Sequence, residues 1–218
     1  MTEQTNSSAS PADKAAHFRA LHKGEHALLL PNPWDVGSAK MLQKVGFQAL
    51  ATTSGGFGWS QGKLDGAFSR EEKIAHCAAL CEAVTIPVSA DLGQGFGESP
   101  EDVAETVRLA ADAGLAGCSV EDAASPYFGG MYDFALAVER VAAAVEAVRG
   151  LSRDFVLTAR CEHFSTGPRD FDDALKRLNA YAEVGADVLY APGLMDIEQI
   201  RALCAAAEKP VNVLTGFR

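Results

Sequence analysis

Apolar residues along the chain fall into two kinds of run that alternate with each other. Short continuous apolar blocks predict seven buried strands, at residues 27–30, 47–53, 86–90, 117–120, 155–159, 188–191 and 211–214. Between them lie stretches with apolar positions at helical spacing. The first, residues 11–23, carries Phe18 and Leu21 and stops at Gly24. Residues 37–45 end at Gly46. A further helix starts at Ser69-Arg-Glu-Glu72, a serine cap with glutamate three positions on. Residues 100–113 have proline in the first turn and Gly114 just past the end. Helices over 133–149, 171–184 and 197–208 follow, while Ser54-Gly-Gly-Phe-Gly58 reads as a loop.

Strands without polar alternation predict a parallel sheet covered on both faces. Seven strand–helix units in series predict a (β/α)₈ TIM-type barrel rather than an open doubly wound sheet. The pattern lacks the eighth strand and the C-terminal helices. Residues 11–218 are expected to form this single, incomplete α/β barrel domain, with residues 1–10 a disordered N-terminal tail. No glycine fingerprint for a dinucleotide follows the first strand, which runs into Pro31-Asn-Pro-Trp-Asp35.

Charge narrows the function. There are 29 acidic against 19 basic residues, a formal net charge of −10. Such a surface argues against nucleic acid and anionic membrane as partners, and no apolar run reaches the roughly 18–20 residues of a membrane span. A small anionic substrate then needs local compensation by a cation or an arginine. The five cysteines show no disulfide or zinc spacing, and read as small buried residues of a cytoplasmic protein.

The chemistry is concentrated at the strand ends. Residues 86–90 deliver Asp91 and then Gly93, Gly95 and Gly97, glycines that let backbone approach a ligand. The next strand delivers Glu121-Asp122, and the one after it Arg160 and Glu162. In a parallel barrel these C-terminal ends converge on one mouth, where ligands bind. Several like charges there require a cation. Mg²⁺ suits oxygen donors and needs only one or two carboxylates, with Mn²⁺ the alternative. The opposing arginine suits a carboxylate or phosphonate.

Thr53-Ser-Gly-Gly, Ser89-Ala-Asp-Leu-Gly-Gln-Gly-Phe-Gly97, Val120-Glu-Asp122 and Thr158-Ala-Arg-Cys-Glu-His-Phe164, together with Asn32-Pro-Trp-Asp35, resemble the isocitrate lyase/phosphoenolpyruvate mutase family. The resemblance implies an α/β barrel, Mg²⁺, homo-oligomers and a 2-oxo acid or enolate ligand. It makes Asp91 and Glu121 metal residues and Arg160 the substrate-binding arginine. It gives Ser54 and Gly55 the grip on pyruvyl oxygens, and brings Asp65 to the metal from the loop after the second strand. Trp34 and Asp35 join the substrate-binding set, and Glu162 and His163 stand behind the ligand-touching residues.

Two departures bear on the reaction. The family's usual second acid, two positions after the first, is Gly93 here. The loop Ser125-Pro-Tyr-Phe-Gly-Gly-Met-Tyr132 has neither the lyases' Lys and Cys nor the mutase's Lys and Asn, leaving Tyr127 or Tyr132 as a gate or proton donor. The expectation is a Mg²⁺-dependent lyase-type enzyme cleaving a C–C bond in a small 2-oxo or 2-hydroxy dicarboxylate. A phosphonopyruvate hydrolase and a weakened or non-catalytic binding homologue are the alternatives.

Overall fold

A computed structural model describes residues 9–124 and 130–215. Six parallel strands lie in sequence order: β1 (Leu50–Ala51), β2 (Val88–Asp91), β3 (Gly117–Glu121), β4 (Val156–Arg160), β5 (Val188–Tyr190) and β6 (Val211–Asn212). Sequential parallel order is what one helix after each strand produces. The helices are α1 (Pro11–Leu21), α2 (Val36–Val45), α3 (Ser54–Ser60), α4 (Arg70–Ala83), α5 (Pro100–Asp112), α6 (Phe134–Arg149), α7 (Phe171–Val184) and α8 (Ile197–Ala206). The sheet is a half-barrel with its helices outside, in agreement with the expected incomplete barrel. None of these helices is long and apolar enough to cross a membrane.

The predicted first strand is not one. Residues 27–30 take part in no strand pairing, and the backbone bond to β1 lies just past them, from the Ala51 N–H to the Pro31 carbonyl, 3.1 Å. One bond makes no ladder, and Leu29 is left 69% exposed. The predicted loop over residues 54–58 is also corrected: these residues open α3, capped by the Thr53 hydroxyl, which accepts from the Gly56 N–H at 3.1 Å.

Ala90, Cys118, Leu157 and Leu189 share a core with Leu80, Val107, Val141 and Leu178 from α4 to α7. Phe18 and Ala15 of α1 close the N-terminal end of the strands, against Ala49, Ala116, Val156 and Val188. The inner face differs from expectation, because it is not covered by apolar packing. Ser89, Ser119 and Thr158 line an open cavity of about 1060 Å³ that leads up to the strand ends. Four thiols are buried as expected, but Cys204 is exposed.

Candidate active site

Asp91, Glu121 and Arg160 are the last residues of β2, β3 and β4. Register brings them onto one face. Glu121 stands opposite Arg160, and Asp91 opposite Ser119, two residues below Glu121 on the same side of β3. The Arg160 guanidinium joins the acids: Nη1 lies 2.8 Å from Asp91 Oδ1, and Nη2 lies 3.1 Å from Glu121 Oε2 and 2.9 Å from Glu162 Oε1. Its face lies over the Tyr190 ring, 5.2 Å from the centroid.

Local folding aims the backbone at the same point. Capping by Thr53 turns the Ser54 N–H toward Asp91 Oδ2, 3.1 Å away. The Gly93 N–H donates to Asp91 Oδ1 at 3.2 Å from a backbone at φ +55°, where glycine is at ease. Arg140 holds the following loop by donating to the carbonyls of Gln94, Gly97, Glu98 and Ser99 while stacked 4.1 Å above Tyr132. Asp65 reaches the mouth too, since a Cβ on Gly55 would stand 3.4 Å from its Oδ2.

The electrostatics show a shortage of positive charge. Burial works against ionised Asp91, but Arg160, Lys73 and hydrogen bonds from Ser54 outweigh it and hold the carboxyl down at about 2. Glu121 goes the other way. Burial, with Glu162, Asp91 and Asp65 nearby, outweighs Arg160 and pushes it up to about 8. Burial also raises Asp65 and Glu162. Four acids thus share two cations, Arg160 and the buried Lys73.

This donor set suits a hard divalent cation. Asp91, Glu121, Glu162 and Asp65 bring carboxylate oxygens to it, and the formal deficit of charge is of the size such an ion supplies. Among the described residues no three His, Cys, Asp or Glu side chains are grouped as a complete ligand cage.

Behind the mouth lies a second buried cluster that the sequence did not disclose. Asp122 accepts from the Glu162 N–H (2.8 Å), the Tyr181 hydroxyl (2.7 Å) and Arg177 Nη1 (3.3 Å). Arg177 also donates to Asp173 at 3.0 Å, which in turn binds His163 Nε2 at 2.6 Å. Glu162 lies against Arg160, and His163 is buried with its Nε2 on Asp173. Trp34 and Asp35 do not meet their expectation. Asp35 caps α2, its Oδ1 accepting from the Ser38 N–H at 2.6 Å. Trp34 is 48% exposed and outside the cavity lining. Tyr132 is buried beneath Arg140, whereas Tyr127 lies outside the described residues.

A family model described as phosphoenolpyruvate phosphomutase matches residues 18–218. The chain belongs to the isocitrate lyase/phosphoenolpyruvate mutase superfamily. Its fold is similar to that of a candidate lyase/mutase from Burkholderia cenocepacia J2315, at 50% identity and TM-score 0.92, covering 95% of this chain and 74% of that one. Oxaloacetate acetylhydrolase, solved with its product oxalate, is 29% identical with TM-score 0.84, over 93% of this chain and 70% of that one. The 2,3-dimethylmalate lyase of Eubacterium barkeri is 32% identical over 81% of this chain and 62% of its own length. The chain spans about two thirds of the length of the curated relatives it matches. The mouth just described lies at the C-terminal ends of β2, β3 and β4, the end at which TIM barrels carry their ligands.

Proposed function

We propose that this chain is a Mg²⁺- or Mn²⁺-dependent lyase-type enzyme that breaks a C–C bond beside the carbonyl of a small 2-oxo or 2-hydroxy dicarboxylate. The observation that carries the reading is the convergence of Asp91, Glu121 and Glu162 on one guanidinium, with the Ser54 amide aimed at the same place. Asp91 and Glu121, with Asp65 beside them, are the residues that would hold the ion. Bound there, it would supply the positive charge that an enolate needs when a bond next to a carbonyl breaks.

The remaining roles fall to the chain itself. Arg160 exchanges an acid for a substrate carboxylate, which its planar fork fits. Ser54 and Gly55 offer N–H donors at the start of α3 where negative charge develops. Glu162, anchored through its amide by Asp122, keeps the guanidinium oriented as the ligand enters. Oxalate is a planar dianion with the shape of a pyruvate enolate, and it is the product held by one relative. It is therefore the probe of choice.

The test is a panel of oxaloacetate, substituted malates, 2-methylisocitrate and phosphonopyruvate, each with and without Mg²⁺. The reading expects cation-dependent release of a 2-oxo acid or oxalate from oxaloacetate or a substituted malate; turnover of 2-methylisocitrate, a tricarboxylate, would widen the substrate class. Phosphate release from phosphonopyruvate would move the reaction to P–C hydrolysis.

A second reading rests on Gly93. No atom lies within 4 Å of the Cβ position there, but a backbone at φ +55° strains any residue that carries a side chain, and the site has one acid fewer. On this reading the barrel binds oxalate but turns over nothing in the panel.

A further inference from the structure

Lys73 is fully buried (0% exposed) near the start of α4, yet it has no carboxylate within salt-bridge distance among the described residues. Its ammonium donates to the Thr52 hydroxyl at 3.3 Å and lies 5.5 Å and 5.9 Å from the rings of Phe57 and Phe68. Buried lysines without a partner are rare, because taking an ammonium out of water is costly. Something must compensate this one. Two phenyl faces and one hydroxyl do so only in part.

The remainder comes from the mouth. Thr52 Oγ1 also accepts the Asp91 N–H at 3.1 Å, so one hydroxyl ties the ammonium to the backbone of the acid. Lys73 favours the ionised form of both Asp91 and Asp65. The mouth is short of positive charge and Lys73 is short of negative charge, and they lie back to back across Thr52.

We propose that Lys73 is a positioning residue of the site, a built-in second cation linked to Asp91 through Thr52. It ties down the Asp91 backbone through Thr52, weakens the site's hold on a divalent ion and strengthens its hold on an anionic ligand. This rests on the mouth being the ion and anion site described above. It also gives Gly93 a meaning: with one acid fewer and a fixed cation behind, this mouth is tuned toward the anion.

Lys73→Met, Lys73→Arg and Asp91→Asn, with the Lys73→Met/Asp91→Asn double variant, test it in the intact chain. Calorimetry reads Mn²⁺ affinity, then oxalate affinity at saturating Mn²⁺; urea unfolding reads metal-free stability. A unit charge roughly 10 Å away through a protein-like medium shifts binding by about three- to tenfold. Lys73→Met is expected to tighten Mn²⁺ and loosen oxalate by that factor, and Lys73→Arg to stay near the unsubstituted protein. The urea midpoint should fall less on Lys73→Met when Asp91 is already Asn.

Opposite shifts of cation and anion are not what a packing defect produces. A folded Lys73→Met protein with both affinities unchanged, and additive effects on stability, overturns the proposal. Should Lys73→Met fail to fold, Lys73→Gln, which removes the charge but keeps a polar end near Thr52, takes its place, with the same signs expected and unchanged affinities again decisive. If the unsubstituted protein binds neither Mn²⁺ nor oxalate, the proposed function fails. The stability cycle then decides Lys73 alone: additivity overturns its link to Asp91, non-additivity upholds it.

Discussion

Glu121 and Asp122 are neighbours in sequence and opposites in circumstance. Strand alternation sends one carboxylate to the inner face and the other into the helical layer. Asp122 accepts three hydrogen bonds, from Tyr181, Arg177 and the Glu162 amide. Among the described residues Glu121 meets one donor, Arg160, at 3.1 Å, and crowds three other acids. The first is a satisfied structural anion; the second is held in a place that disfavours its charge. A folded chain tolerates the second arrangement where a ligand completes it.

The largest effect should come from Arg160→Ala, which leaves Asp91, Glu121 and Glu162 without their shared cation. Removing one partner of a buried pair costs about 3–5 kcal/mol. Metal-free stability in urea should drop by that order, and oxalate affinity by roughly 10³-fold; an oxalate loss under tenfold would break the assignment of the anion to Arg160. Asp122→Ala should cost a similar order of about 3–5 kcal/mol of stability. It should weaken oxalate only several-fold, because Glu162 loses its anchor while the guanidinium remains.

Glu121→Gln sharpens the contrast from the other side. Removing an under-satisfied charge should raise the metal-free unfolding midpoint while weakening Mn²⁺ binding; a drop in both would place Glu121 with Asp122 as a structural acid. The smallest effect concerns His76, whose Nε2 donates to the Trp34 carbonyl at 2.9 Å and whose buried Nδ1 has no partner among the described residues. Burial, helped by Lys73, lowers its pKa from 6.5 to about 4. Between those values the unfolded chain binds the extra proton, so stability from this group is complete above about pH 6.5 and declines as pH falls toward 4. His76→Gln should flatten the fall in urea midpoint between pH 7 and pH 5.

Much of this was legible in the sequence, because the strand-end residues Asp91, Glu121 and Arg160 follow continuous apolar blocks. Register then does the rest. What escaped the reading depended on close contact. Ser54 to Gly58 has poor helix propensity, yet it folds as α3, where a Cβ on Gly56 or Gly58 would stand 2.6 Å from Thr53 or 2.7 Å from the Leu64 carbonyl. The glycines mark tight packing, not a loop. Residues 27–30 have a strand's composition but no ladder, which composition alone does not reveal. Lys73 hides in a charged capping segment, although its spacing with Cys77, Leu80 and Cys81 marks the buried face of α4. Arg177 and Tyr181 carry the same signal, one helical turn apart on α7.

Anomalous diffraction from a crystal soaked with Mn²⁺ and oxalate measures the central claim most directly. The account predicts one manganese peak between Asp91 and Glu121, with Arg160 turned from Asp91 onto the oxalate. A manganese peak elsewhere, or Arg160 still closed on Asp91 with no ion bound, would contradict it.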